Sequence, residues 1–68
     1  MIFPNLRAEM ARKNVTNSAL AKTICCDSST MSGKLNKIGR LKFAEAKKIR
    51  DVWFSDLDMD YLFAQDNN

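Results

Sequence analysis

The sequence predicts an all-α domain of five short helices. Three observations carry that reading. No segment alternates apolar and polar residues for long enough to make a half-buried strand. Apolar residues instead recur at spacings of three and four. Asn5, Thr16, Asp27 and Asp58 each stand where a helix would begin, and such residues accept hydrogen bonds from the unpaired N–H groups of a first turn. At 68 residues the chain makes one domain, 1–68, with a core worth only a few kcal/mol of stability.

The first helix is expected from about Leu6 to Lys13, with Pro4 ahead of it, Asn5 as its cap and Leu6 and Met10 on its apolar face. Asn14 fits its end, because Asn tolerates left-handed backbone angles. The second follows Thr16 and runs to about Ile24. Cys25, Cys26 and Asp27 form a turn, and Asp27 caps a third helix from Ser28 to Leu35 or Asn36. The negative charge of Asp27 also favours the positive end of that helix dipole. Residues 37–42 make a basic loop around Gly39. The fourth helix runs from about Phe43 to Val52 or Trp53, with Phe43, Ala46, Ile49 and Trp53 on one face. A last short helix begins after Asp58 and turns Met59, Leu62 and Phe63 inward. Residues 65–68 are polar and terminal, and are expected to fray.

The stretch from Thr16 to Asn36 says most about function. Leu20, Ala21 and Ile24 share one apolar face, and Met31 and Leu35 share a second. Ala21 sits where two helices crossing steeply leave little room for a side chain. Two short helices joined by a tight turn make a helix-turn-helix, whose second helix can enter a DNA major groove.

Charge agrees with a nucleic-acid partner. Residues 1–50 hold all 11 basic residues against three acids, a net +8, while residues 51–68 hold five acids and no base, a net −5. A basic body suits a phosphate backbone, although charge alone carries no sequence information. A solvated surface of mixed sign would also account for it. No apolar run approaches the roughly 20 residues that cross a bilayer, so no membrane partner is expected. The opening residues lack the basic-then-apolar pattern of a signal peptide.

Catalysis is not expected. Histidine is absent, no nucleophile stands with a base, and no paired acids suggest a cleft. Asp56, Asp58 and Asp60 alternate as in a calcium loop, but the glycine and closing glutamate of such a loop are missing. Cys25 and Cys26 are adjacent, which suits reduced thiols better than a staple or a zinc site. No metal, cofactor or small-molecule substrate is expected.

The chain resembles the lambda-repressor-like family of DNA-binding domains, and in particular the small Cro/repressor-type regulators of bacteriophages. The likeness lies in NLRAEMARKN of helix 1, in Thr16, Leu20, Ala21, Lys22 and Ile24 of helix 2, and in Ser29, Thr30, Ser32, Lys34, Leu35 and Asn36 of helix 3. It continues through EAKKIRDVWF and the closing segment from Asp58 to Ala64. The resemblance implies a five-helix, lambda-repressor-like domain that binds double-stranded operator DNA as a homodimer. It also implies a transcriptional repressor working in the cytoplasm of a bacterial host. The departures are Cys25, where the family usually has glycine, and a reading helix rich in serine where Gln, Arg or Lys are common. A cysteine held at φ > 0 costs about 1 kcal/mol.

On that resemblance Ser28, Ser29, Ser32 and Gly33 would face the bases. Serine discriminates weakly among base edges. Gly33 costs roughly 1 kcal/mol inside a helix and either admits DNA closely or marks a relaxed position. Asn17, Lys22, Thr30, Lys34, Asn36, Lys37 and Arg40 would meet phosphates, each with an ordinary solvated side chain as the alternative. Trp53, Phe54, Tyr61, Leu62 and Phe63 exceed what a short last helix needs for itself. Most belong to the core, and the surplus among Trp53, Phe54, Tyr61 and Phe63 would face a second copy. The competing reading is a protein-interaction module of antirepressor type, which the charge-poor serine face leaves open.

Overall fold

The computed structural model describes residues 2–37 and 39–65. Five α-helices follow one another: α1 (Pro4–Lys13), α2 (Asn17–Thr23), α3 (Ser28–Asn36), α4 (Phe43–Trp53) and α5 (Met59–Leu62). Among the described residues there is no strand, so the all-α expectation holds. Of the expected frayed tail, Gln65 is exposed beyond the end of α5, and 66–68 lie outside the described residues.

Local chemistry sets most helix ends. The Thr16 hydroxyl accepts from the Ala19 amide at 3.2 Å, and the Asp27 carboxylate accepts from the Thr30 amide at 2.6 Å. The Thr30 hydroxyl and amide together hold the Asp27 carboxyl below the ordinary carboxylate range. At α4, Glu45 reaches back to accept from the Lys42 amide at 3.1 Å, half of a capping box.

The ends of α1 and α2 match each other. Asn14 (φ 62°) and Cys25 (φ 60°) are the left-handed residues that stop them. In each case the next amide reaches back five residues, Val15 to the Met10 carbonyl at 2.8 Å and Cys26 to the Ala21 carbonyl at 2.9 Å. This is the Schellman arrangement, which satisfies carbonyls that a helix end leaves unpaired. Cys25 therefore adopts the backbone that glycine takes cheaply.

Two expected caps differ. Helix α1 starts earlier than its apolar spacing suggests, because Pro4 is preset for the first helical position and its missing N–H costs nothing there. Asn5 thus lies inside α1, and its Nδ2 donates to the Tyr61 carbonyl at 2.8 Å. Asp58 occupies the cap position of α5, but its carboxylate makes no capping bond.

Leu6, Leu20, Met31, Leu35, Ile49, Phe54 and Leu62 form the solvent-free centre of the core. Helix α2 packs on α3 and α4, and α5 packs on α1 and α4. Ala21 is buried in that arrangement, as a small residue at a helix crossing should be. The apolar face of α4 is shorter than its spacing predicts. Ala46 and Ile49 are buried, but Phe43 is 72% exposed. It is the first residue of α4, where the helix has run past the edge of the core.

Two of the polar ties between helices come from aromatic side chains. Tyr61 donates its hydroxyl to Glu9 at 3.0 Å, joining α5 to α1. That bond, made to the neutral phenol, raises the Tyr61 pKa above its usual 10.0. Trp53 donates its indole N–H to the Thr23 hydroxyl at 2.8 Å, joining α4 to α2.

Candidate nucleic-acid interface

Helix α3 turns Met31 and Leu35 into the core, and their burial fixes which side faces out. Ser29, Gly33 and Asn36 lie opposite them at helical spacing, with Thr30 and Ser32 on the flanks. Ser29, Thr30 and Asn36 are exposed, and Ser32 and Gly33 are partly so. The outward face is short, polar and free of acids. The one acid between residues 17 and 36, Asp27, is spent on capping.

The predicted base-reading residues do not all fall together. Ser29 and Gly33 share the outward side, and Ser32 lies on its flank. Ser28 is exposed but points toward α2, its hydroxyl 3.1 Å from that of Ser18. The pair staples the start of α3 to α2, a role that helical spacing does not signal, since the two residues are separated by the whole turn. Asn36 folds back along its own helix and donates to the Ser32 carbonyl at 2.8 Å and the Ser32 hydroxyl at 3.2 Å. The Ser32 hydroxyl thereby accepts once from within and keeps its proton and a second lone pair free.

Gly33 stands out on physical grounds. A methyl group built at its Cβ position would meet nothing within 4 Å. Its φ is not in the positive region that would demand glycine. Nothing in the free fold requires glycine here, which weakens a helix interior by about 1 kcal/mol against alanine. Gly39, by contrast, sits in the loop after α3 at φ 81°, where glycine is needed.

The predicted phosphate contacts divide in the same way. Asn17 opens α2 and is exposed, as are Lys22, Thr30, Lys37 and Arg40. Lys22, Lys37 and Arg40 have no carboxylate partner among the described residues. Arg40 lies close beside α3, because its amide bonds the Lys37 carbonyl at 3.4 Å. Lys34 does not join them. Its ammonium lies 3.0 Å from Glu45 and its side chain is only 17% exposed, so it braces α3 against α4. Burial alone would raise the Glu45 pKa, but the Lys42 amide and the Lys34 ammonium outweigh it and hold the carboxyl below its usual value.

The predicted dimer residues need larger correction. Phe54 is 0% exposed and is core, not surface. The Lys13 ammonium lies over its ring, 5.4 Å from the centroid. Trp53 and Tyr61 are exposed in part, but their polar atoms are held by Thr23 and Glu9. Phe63 stacks edge-on against Phe3 with ring centroids 5.6 Å apart and keeps one side open. The large exposed aromatic that spacing missed is Phe43. Its position at the first turn of α4, beyond the last core residue of that stripe, was the available signal.

Among the described residues no three Cys, Asp or Glu side chains gather to hold a metal, and no helix is long and apolar enough to cross a membrane. Both thiols are free, Cys25 exposed and Cys26 half-buried. No protein-family model, no curated protein and no solved structure matches this chain.

Proposed function

We propose that this chain is a sequence-specific double-stranded DNA-binding regulator that lays α3 in the major groove. The observation that carries the reading is the outward face of α3. It is short, polar and acid-free, it is anchored by Met31 and Leu35, and it lies beside Lys37 and Arg40, which have no carboxylate partner among the described residues. An α-helix fits the major groove, and short side chains let its backbone come near the base edges. Ser32 and Ser29 would read bases, and Lys22, Lys37 and Arg40 would hold phosphates. Phosphate contacts set register and most of the affinity, while base contacts set sequence. The lambda-repressor-like resemblance points the same way, toward a repressor of the Cro type.

Ser32 accepts once from Asn36 and keeps its proton and a second lone pair, so it can meet either an acceptor or a donor base edge and contributes only weak discrimination.

The test is selection from a random duplex pool, followed by anisotropy titration of the selected duplex across a salt series. One phosphate each on Lys22, Lys37 and Arg40 predicts a slope of log affinity against log salt of roughly −3 per protomer. Lys37→Ala should weaken all sequences alike and flatten that slope by about 1. Ser32→Ala should relax the preference at one base pair. Failure to bind any duplex at low salt refutes the proposal. Salt-independent capture of a protein partner in its place would favour an interaction module.

A further inference from the structure

Cys25 and Cys26 are neighbours in the tight turn between α2 and α3, and both thiols are free. They are the only cysteines of the chain. Cys25 is exposed, and Cys26 is half-buried against the core. At φ 60° the backbone of Cys25 favours a residue with no side chain, yet a thiol is presented to solvent there. Residues other than glycine held in this conformation gather at ligand clamps and other functional sites.

The spacing disfavours a disulfide. Consecutive Cα atoms across a trans peptide lie about 3.8 Å apart, short of the roughly 4.4–6.8 Å that a disulfide usually spans. The turn is also short of ligands for the metals that thiolates commonly hold. A structural zinc ion or an iron–sulfur cluster takes four ligands. The chain has no histidine, and among the described residues no three Cys, Asp or Glu side chains gather. The carboxylate next in sequence, Asp27, is committed to capping α3 through the Thr30 amide. What the turn offers is a pair of sulfurs with one side open to water.

We propose that Cys25 and Cys26 together form a dithiol site for trivalent arsenic, as arsenite or as an organic arsenical. Soft centres select thiolate ligands. Trivalent arsenic is soft and pyramidal, so two sulfurs stand side by side on it, as neighbouring residues can offer them. Its third position keeps a hydroxyl or an organic group, which the exposed side of Cys25 leaves room for. Copper(I) is equally soft, but with two thiolates it sets them in line on opposite sides of the ion. Capture is a condensation without redox change. Each S–H gives its proton to an oxygen on arsenic, As–S bonds replace As–O bonds, and the oxygen leaves as water. The second As–S bond closes within one molecule, and such closure raises overall affinity by about 10²–10⁴-fold over a single attachment. Capture is measured without DNA, so the site does not depend on the reading of α3.

The experiment is intact mass measurement of the reduced, folded chain after incubation with phenylarsine oxide and an excess of glutathione. Glutathione, a monothiol, strips an arsenical held by one sulfur. Ethanedithiol strips one held by a pair. The wild type should carry one phenylarsenic group per chain, which survives glutathione and leaves with ethanedithiol. Retention should fall by about 10²-fold or more in Cys25→Ser and in Cys26→Ser. Cys25→Gly relieves the backbone at φ 60° and should lose capture to the same extent, which separates a lost ligand from a lost fold. Circular dichroism follows the helix content of each variant. A wild type that glutathione clears as readily as the single variants overturns the proposal. So does the addition of an arsenical to each thiol separately, or one group that links two chains. Retention by Cys25→Gly at the wild-type level overturns it equally.

Discussion

Replacing Gly33 with alanine should move stability and DNA affinity in opposite directions. In the free protein the added methyl meets open space, and the position lies inside the nine residues of α3. The full helix-propensity gain of about 0.5–1 kcal/mol should therefore appear, since no clash offsets it. For a domain of this size, 1 kcal/mol raises the melting temperature by roughly 4–8 °C. The same methyl projects from the face proposed to meet the groove. If the backbone approaches the bases there, separation of the surfaces should lower operator affinity, and a loss of about 1.4 kcal/mol would read as tenfold. Thermal unfolding by circular dichroism measures the first quantity, and anisotropy on the selected duplex measures the second. A variant that melts lower would show that the surroundings of α3 are not as open as they stand here. A variant that melts higher and binds unchanged would show that Gly33 marks no close approach.

Other outcomes follow from the same structure. Cys25→Gly should stabilise the fold by about 0.5–1 kcal/mol in chemical denaturation, because Cys25 is exposed and glycine takes φ 60° without strain. Phe54→Ala should cost about 3–5 kcal/mol and leave little folded protein, as expected for a fully buried ring. Trp53→Ala, at a partly exposed site, should cost less. Stability should also fall at both extremes of pH. The pKa values of Asp27, Glu45 and Asp56 lie below their ordinary 3.8, 4.5 and 3.8, so the stability they contribute is complete above those values and lost as pH drops through the lowered ones. Asp27→Asn keeps a capping oxygen and should blunt that acid loss in pH-dependent unfolding. The raised pKa of Tyr61 has the opposite sign: its contribution is complete below 10.0 and is lost as pH rises through the higher folded value. Tyr61→Phe should remove that alkaline step.

The sequence by itself determined the helices, their order and the turn at Cys25. Each of these depends on residues within about one helical turn: a hydroxyl or carboxylate three positions before an amide, an apolar pair at i and i+4. It also determined the outward face of α3, because burying Met31 and Leu35 leaves the opposite side for Ser29 and Gly33. The tertiary structure decided what depends on a distant partner. Lys34 left the predicted phosphate set because Glu45, from another helix, reaches it, and Ser28 turned aside to Ser18. Phe43 and Phe54 exchanged their expected places, one surface and one core, although both are apolar residues at plausible helical positions. Spacing tells which side of a helix is apolar. Only the packing of the other helices tells how far along its length that side is covered.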